Sequence, residues 1–243
     1  MALQFTTANQ ASADNGVKCL VYGQAGMGKT VLTATLPTPV LISAESGLLS
    51  LRKENLERIY GVGVEGINYD VPVIVINSVD DLTEAYRWAS TSAEAANFQS
   101  IALDSISEIA EVVLNNAKRQ VKDPRQAYGE LLEKMQTLIR LFRDLPKKNV
   151  YFSAKMEQGK DEMSGVTMYQ PAMPGSKLGQ QLPYFFDEVF RLGTSRDQNG
   201  QNFRFLQTQP DLQFVAKDRS GALDAMEYPH LGAIFAKIMG VAH

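Results

Sequence analysis

Apolar positions along this chain fall into two alternating patterns. Short runs of consecutive apolar residues read as buried strands, and longer stretches with apolar positions three and four apart read as helices. The apolar runs lie at 17–22, 39–43, 71–76, 100–103 and 150–153. Between them, residues 31–36 read as a helix start, and 47–59, 80–90, 107–121 and 126–145 read as helices. In the last of these Leu131, Met135, Leu138, Phe142 and Leu145 form one apolar stripe. Strands that alternate with helices predict a mostly parallel sheet flanked by helices. After residue 154 the texture changes. Residues 156–179 are polar and rich in glycine and methionine, and read as a long loop or a small hairpin. Residues 188–192 and 203–208, joined by Gln198-Asn199-Gly200, read as an antiparallel hairpin. Residues 214–217 read as a last strand and 231–239 as a closing helix. The small, polar stretch 8–16 reads as a linker, giving an N-terminal tail at 1–16 and one α/β domain at 17–243.

Between the first strand and the first helix stands Gly23-Gln24-Ala25-Gly26-Met27-Gly28-Lys29-Thr30, which satisfies G-x-x-x-x-G-K-[ST] at every fixed position. Strand–loop–helix is the context that the phosphate-binding P-loop requires. The glycines let backbone N–H groups turn inward, and the helix start behind them adds partial positive charge. Lys29 is placed for the β- and γ-phosphates of a nucleoside triphosphate, and the Thr30 hydroxyl for Mg²⁺.

Composition narrows the remaining choices. Hydrophobic residues make up 44% of the 243 and charged residues 21%, ordinary for a chain that buries a full core. A net charge of −3 leaves no globally basic surface, so contact with nucleic acid must come from local patches or from many weak sites acting together. The single cysteine, Cys19, lies inside the first strand and excludes an intramolecular disulfide framework. With His230 and His243 as the only histidines, a His-based triad or zinc site is disfavoured. No apolar run reaches membrane-spanning length and no basic-then-apolar leader opens the chain, which predicts a cytoplasmic protein without membrane contact.

Two carboxylates complete a candidate hydrolytic site. Ile101-Ala102-Leu103-Asp104-Ser105 is an apolar strand ending in an acid, a position from which Asp104 holds Mg²⁺ beside a P-loop. Asp104 and Ser105 also stand where a helix N-cap belongs. Residue 105 is not a carboxylate, so a base that orients water must come from elsewhere. Glu45, in Val40-Leu41-Ile42-Ser43-Ala44-Glu45-Ser46, ends another strand, and in a parallel sheet the carboxyl ends of strands share one crevice. A glutamate capping the next helix is the other role open to it.

The sequence Ala44-Glu45-Ser46 at one strand end and Asp104-Ser105 at another, behind a P-loop, resembles the core of RecA-type recombinases. In size the chain is similar to the core-only RecA-like phage ATPases, P-loop AAA-type nucleotide-binding proteins that act as recombinases or as single-strand annealing proteins of the Sak type. The resemblance spans roughly residues 17–220 and implies a RecA-like P-loop NTPase core with a C-terminal antiparallel hairpin. It implies ATP and Mg²⁺ as cofactors, Glu45 as base, Lys29 on phosphate, and Thr30 and Asp104 on the metal. Lys155 follows the strand where this family places a γ-phosphate switch residue, to contact phosphate or to stand in solvent. Lys217 or Arg219 lies where the family reaches a neighbouring subunit's nucleotide.

The same resemblance implies partners: single-stranded DNA, further copies of the chain, and a single-strand-binding protein. Phe5-Thr6-Thr7-Ala8 resembles the F-x-x-A polymerisation motif, with Phe5 and Ala8 as anchors. One DNA loop corresponds to the region around Arg119, Lys122 and Arg125. The other corresponds to 156–177, with Lys160, Met163, Met168, Tyr169, Met173 and Lys177, where an aromatic stacks on bases and lysines meet phosphate. The expectation is an ATP-dependent, DNA-stimulated ATPase that binds single strands, working in the cytoplasm, a host's if the chain is phage-encoded. An AAA+-like loader or motor acting on a protein or on duplex DNA is the alternative. A small-molecule kinase lacks its arginine lid here, and a GTPase its N-K-x-D element.

Overall fold

A computed structural model of the chain describes residues 5, 7, 15–45, 47–160 and 165–241. Strands β1 (Lys18–Gly23), β2 (Pro39–Ser43), β3 (Val73–Val75), β4 (Ser100–Asp104), β5 (Asn149–Lys160) and β7 (Glu188–Arg196) run parallel in the order β3-β2-β4-β5-β1-β7. Beyond β7 the sheet turns antiparallel through β8 (Asn202–Gln207) and β10 (Met226–Glu227). Strand β6 (Thr167–Pro171) folds back on β5, and β9 (Lys217–Asp218) pairs with the start of β7. The expected architecture is therefore present: a mostly parallel sheet between helices, ending in an antiparallel hairpin.

Alternation along the strands sorts their side chains onto two faces. Leu20 and Tyr22 of β1 join Leu103 and Phe152 in one core, against α2 (Val79–Thr91), α3 (Ile106–Gln120) and α4 (Pro124–Arg143). Cys19 and Val21 face the other way, into a core with Leu41, Tyr151 and Phe190 that is closed by α6 (Leu231–Met239). Cys19 is thus the buried packing residue its position suggests. The α4 stripe is Leu131, Met135, Ile139 and Phe142, with Leu138 at its flank. Local sequence also sets the helix ends. Ser78 and Asp81 form a capping box on α2, and the Asp123 side chain accepts from Arg125 N to cap α4.

Three elements differ from the sequence expectation, and a fourth takes the second of its two readings. The segment after the P-loop is a 3-10 helix, Thr30–Thr35, that stops at Leu36 (ψ 150°) because Pro37 follows and excludes the helical conformation before it. The helix expected at 47–59 divides at Arg52 (ψ 140°) into a 3-10 turn, Leu48–Leu51, and α1 (Lys53–Tyr60). Of the last strand expected at 214–217, only Lys217–Asp218 pairs as a strand, while Phe214 forms an isolated bridge to Tyr169. The segment 156–179 holds the hairpin: β5 continues to Lys160 and pairs antiparallel with β6, and α5 (Ser176–Gln181) follows.

Candidate nucleotide-binding site

Strand register brings the candidate residues to one edge of the sheet. Gly23 lies level with Lys155, and Ser43 with Asp104, so the carboxyl ends of β1 and β4 flank the middle of β5, with that of β2 beside β4. The P-loop bends there with Gly26 at φ +75° and Gly28 at φ +99°, conformations that residues with a Cβ rarely adopt. Lys29 folds back over the loop, its Nζ donating to the carbonyls of Gly23 and Gln24, each at 2.9 Å. Burial lowers the pKa of this ammonium, while the negative charges of Asp104 and Glu45 oppose the shift. From below, the Tyr151 hydroxyl donates to the Lys29 carbonyl at 2.8 Å and pins the turn to β5.

The acids are held by hydroxyls. Thr30 Oγ1 donates to Asp104 Oδ2 at 2.6 Å, and Ser153 Oγ donates to the other oxygen, Oδ1. Asp104 is buried. Ser105 Oγ donates to Glu45 Oε1 at 2.8 Å and also accepts from Glu108 N to cap α3. Residue 105 therefore replaces a second carboxylate with a group that orients the distant one. The backbone of Glu45 is tied to Ser43 Oγ through both its N–H and its carbonyl. Thr30, Glu45, Asp104 and Ser105 line a cleft of about 500 Å³, together with Lys155, Asn55 and Arg204.

This donor set fits a Mg–nucleoside triphosphate. Among the described residues no cluster of three or more His, Cys, Asp or Glu forms an all-protein metal cage. Thr30 and Asp104 instead offer the sparse oxygen set with which Mg²⁺ is shared between a protein and phosphates.

Other expected residues take varied positions. Lys155 reaches the cleft and forms a 2.6 Å ion pair with Glu108, which raises its pKa. Lys217 and Arg219 do not enter the nucleotide cleft of their own chain. They lie by the start of β7, near the other edge of the sheet, where Lys217 Nζ donates to the Pro183 carbonyl and Arg219 pairs with Asp187. Arg119, Lys122 and Arg125 are exposed around the α3–α4 joint. Lys160 is exposed at the end of β5 and Lys177 in α5. Met168 and Tyr169 are half-buried on β6, and the Tyr169 ring stacks on Phe214 with centroids 5.0 Å apart. Met173 packs in the main core. Phe5 is exposed, while Ala8, Ser46 and Met163 lie outside the described residues.

Sequence reasoning missed Tyr151, Ser153 and Arg204. The first two alternate on a strand whose position beside the P-loop only the sheet order reveals. Arg204 comes from the distant β8 and carries no motif.

Fold and site together define a P-loop NTPase. The chain belongs to the AAA domain family AAA_24, which matches residues 15–220. No curated protein matches it. Among solved structures it is similar to the KaiC-like protein PH0186 from the hyperthermophilic archaeon Pyrococcus horikoshii OT3, at 16% identity and a TM-score of 0.45, covering 79% of this chain and 77% of that one. Among the described residues no helix is long and apolar enough to cross a membrane.

Proposed function

We propose that this chain is an ATP-dependent recombinase or annealing protein of phage type that binds single-stranded DNA and assembles into rings or filaments. The observation that carries the enzymatic part is the joint placement of Glu45, Asp104 and Thr30 around the P-loop cleft, with both carboxylates held by hydroxyls, Asp104 by that of Thr30 and Glu45 by that of Ser105. In this reading Glu45 takes the proton of the attacking water, and Ser105 keeps its carboxylate turned toward the cleft. Lys29 leaves its carbonyl partners for the β- and γ-phosphates. Thr30 and Asp104 would hold Mg²⁺, which would supply positive charge to the phosphates.

For DNA, the exposed Lys160 and the neighbouring β5–β6 hairpin support a backbone contact, with Arg119, Lys122, Arg125, Met168, Tyr169 and Lys177 as further contributors. Because Tyr169 already stacks on Phe214, a base would have to add to that pair or displace one ring. Phe5 and Ala8 serve assembly, with Lys217 or Arg219 facing a neighbouring copy, and each protomer's weak grip on DNA is multiplied along the assembly.

The test is ATP turnover by the purified chain with and without single-stranded DNA, alongside Glu45→Gln and Lys29→Ala. Stimulation by DNA that both variants abolish is the expected result. Turnover indifferent to DNA refutes the recombinase reading and favours a loader or motor acting on another partner.

A further inference from the structure

The nucleotide cleft contains a cation that the P-loop motif does not supply. Arg204 lies on β8, opposite Thr194 of β7. Strand alternation puts it on the same face as Leu206, whose side chain packs with Leu192 and Leu32 in the core below. That row of side chains emerges from the core at the P-loop. A Cβ built on Gly28 would lie only 2.7 Å from Arg204 Nη1, so the guanidinium rests where this glycine lacks a side chain. Arg204 walls the cleft together with Lys29, Thr30 and Asp104.

The other two cations of the cleft are already engaged. Lys29 bonds to P-loop carbonyls and Lys155 to Glu108. Arg204 has neither a hydrogen bond nor an ion pair among the described residues. An exposed guanidinium aimed at a glycine-rich phosphate loop, with no carboxylate to hold it, matches the forked geometry with which arginine grips phosphate oxygens.

We propose that Arg204 binds the polyphosphate of the nucleotide, contributed by the same chain and from outside the P-loop motif. This assignment rests on the nucleotide reading above. Arg204 also borders a second, more apolar cleft lined by Met27, Tyr60, Phe203 and Tyr228, so contact with the base is the competing role.

The experiment is calorimetric titration of the full chain, its Arg204→Ala and Arg204→Lys variants, and Lys29→Ala with Mg-ATP. Each is then titrated with inorganic tripolyphosphate, which has no base. Loss of a charge-assisted, forked contact predicts roughly 10- to 100-fold weaker binding of both ligands by Arg204→Ala. Arg204→Lys recovers part of the loss, since an ammonium carries the charge without the fork. Thermal midpoints without ligand stay equal, because the side chain is exposed and unbonded. Parent-like affinity in Arg204→Ala, with binding lost in Lys29→Ala, overturns this assignment alone. A loss seen with ATP but absent with tripolyphosphate also overturns it, by assigning the guanidinium to the base. Failure of the parent chain to bind either ligand overturns the nucleotide reading and this assignment together.

Discussion

Glu188 offers a quantitative test of the packing beneath the site. It opens β7, only 1% of its surface is exposed, and its Oε2 is buried without a hydrogen-bond partner among the described residues. Its Oε1 accepts from Ser220 N at 3.2 Å. Burial, helped by the neighbouring negative charge of Asp218, raises its pKa from the ordinary 4.5 to about 7. The folded state therefore holds this proton more tightly than the unfolded chain does. Its favourable contribution is complete below the unfolded value and is lost as pH rises through the folded one. At 1.36 kcal/mol per pH unit, the interval amounts to about 3 kcal/mol when fully titrated, of which about 2 kcal/mol falls between pH 5 and pH 8. Glu188→Gln is neutral throughout and escapes that loss. Denaturant unfolding of parent and variant across this range should show the variant gaining about 2 kcal/mol relative to the parent by pH 8, or about 4–8 °C in Tm. Parallel stability–pH curves for the two proteins would refute the reasoning, since they would mean that Glu188 titrates alike folded and unfolded.

Three further substitutions, at two positions, probe the site's supports. Ser105→Ala frees the Glu45 carboxylate and should lower kcat about tenfold while KM for ATP stays within about twofold, as expected for a residue that acts through the base. Ser105→Gly caps α3 nearly as well as serine, so an equal loss of rate in steady-state assays separates orientation from helix stability. Tyr22→Phe removes a hydroxyl that donates to Val215 O at 2.7 Å and Tyr169 O at 3.2 Å. It should cost about 1–2 kcal/mol and speed amide hydrogen exchange in β6, with β4 unchanged.

The parts legible in the sequence were those with a local cause. The P-loop announces itself through glycines whose positive φ the structure requires, and the α4 stripe through spacing alone. Asp104 and Glu45 were legible because parallel strands bring their carboxyl ends together. What escaped depended on distant partners. The extension of β5 beyond residue 154 has no apolar run, because its outer half is stabilised by pairing with β6 rather than by burial. The role of Ser105 as a positioning group depends on Glu45, 60 residues earlier, and Arg204 meets Gly28 only because β8 joins the sheet beyond β1 and β7. The stop at Leu36 did have a local signal, Pro37, directly after the helix start read at 31–36.

Strand β5 has a mechanical consequence. Its inner half is clamped between β1 and β4, its middle touches Asp104 through Ser153 and enters the cleft at Lys155, and its outer half carries the hairpin as far as Lys160. The strand is continuous from Asn149 to Lys160, so it works as a lever with its fulcrum in the sheet and about 17 Å of arm beyond Lys155. A tilt of about 5° at the fulcrum moves the tip by about 1.5 Å, the scale of the shifts by which packed elements switch state. Tyr22 braces the arm from the strand that leads into the P-loop, through its bond to the Tyr169 carbonyl. A ligand that displaces Ser153 or Lys155 thus acts on the same continuous strand that carries Lys160.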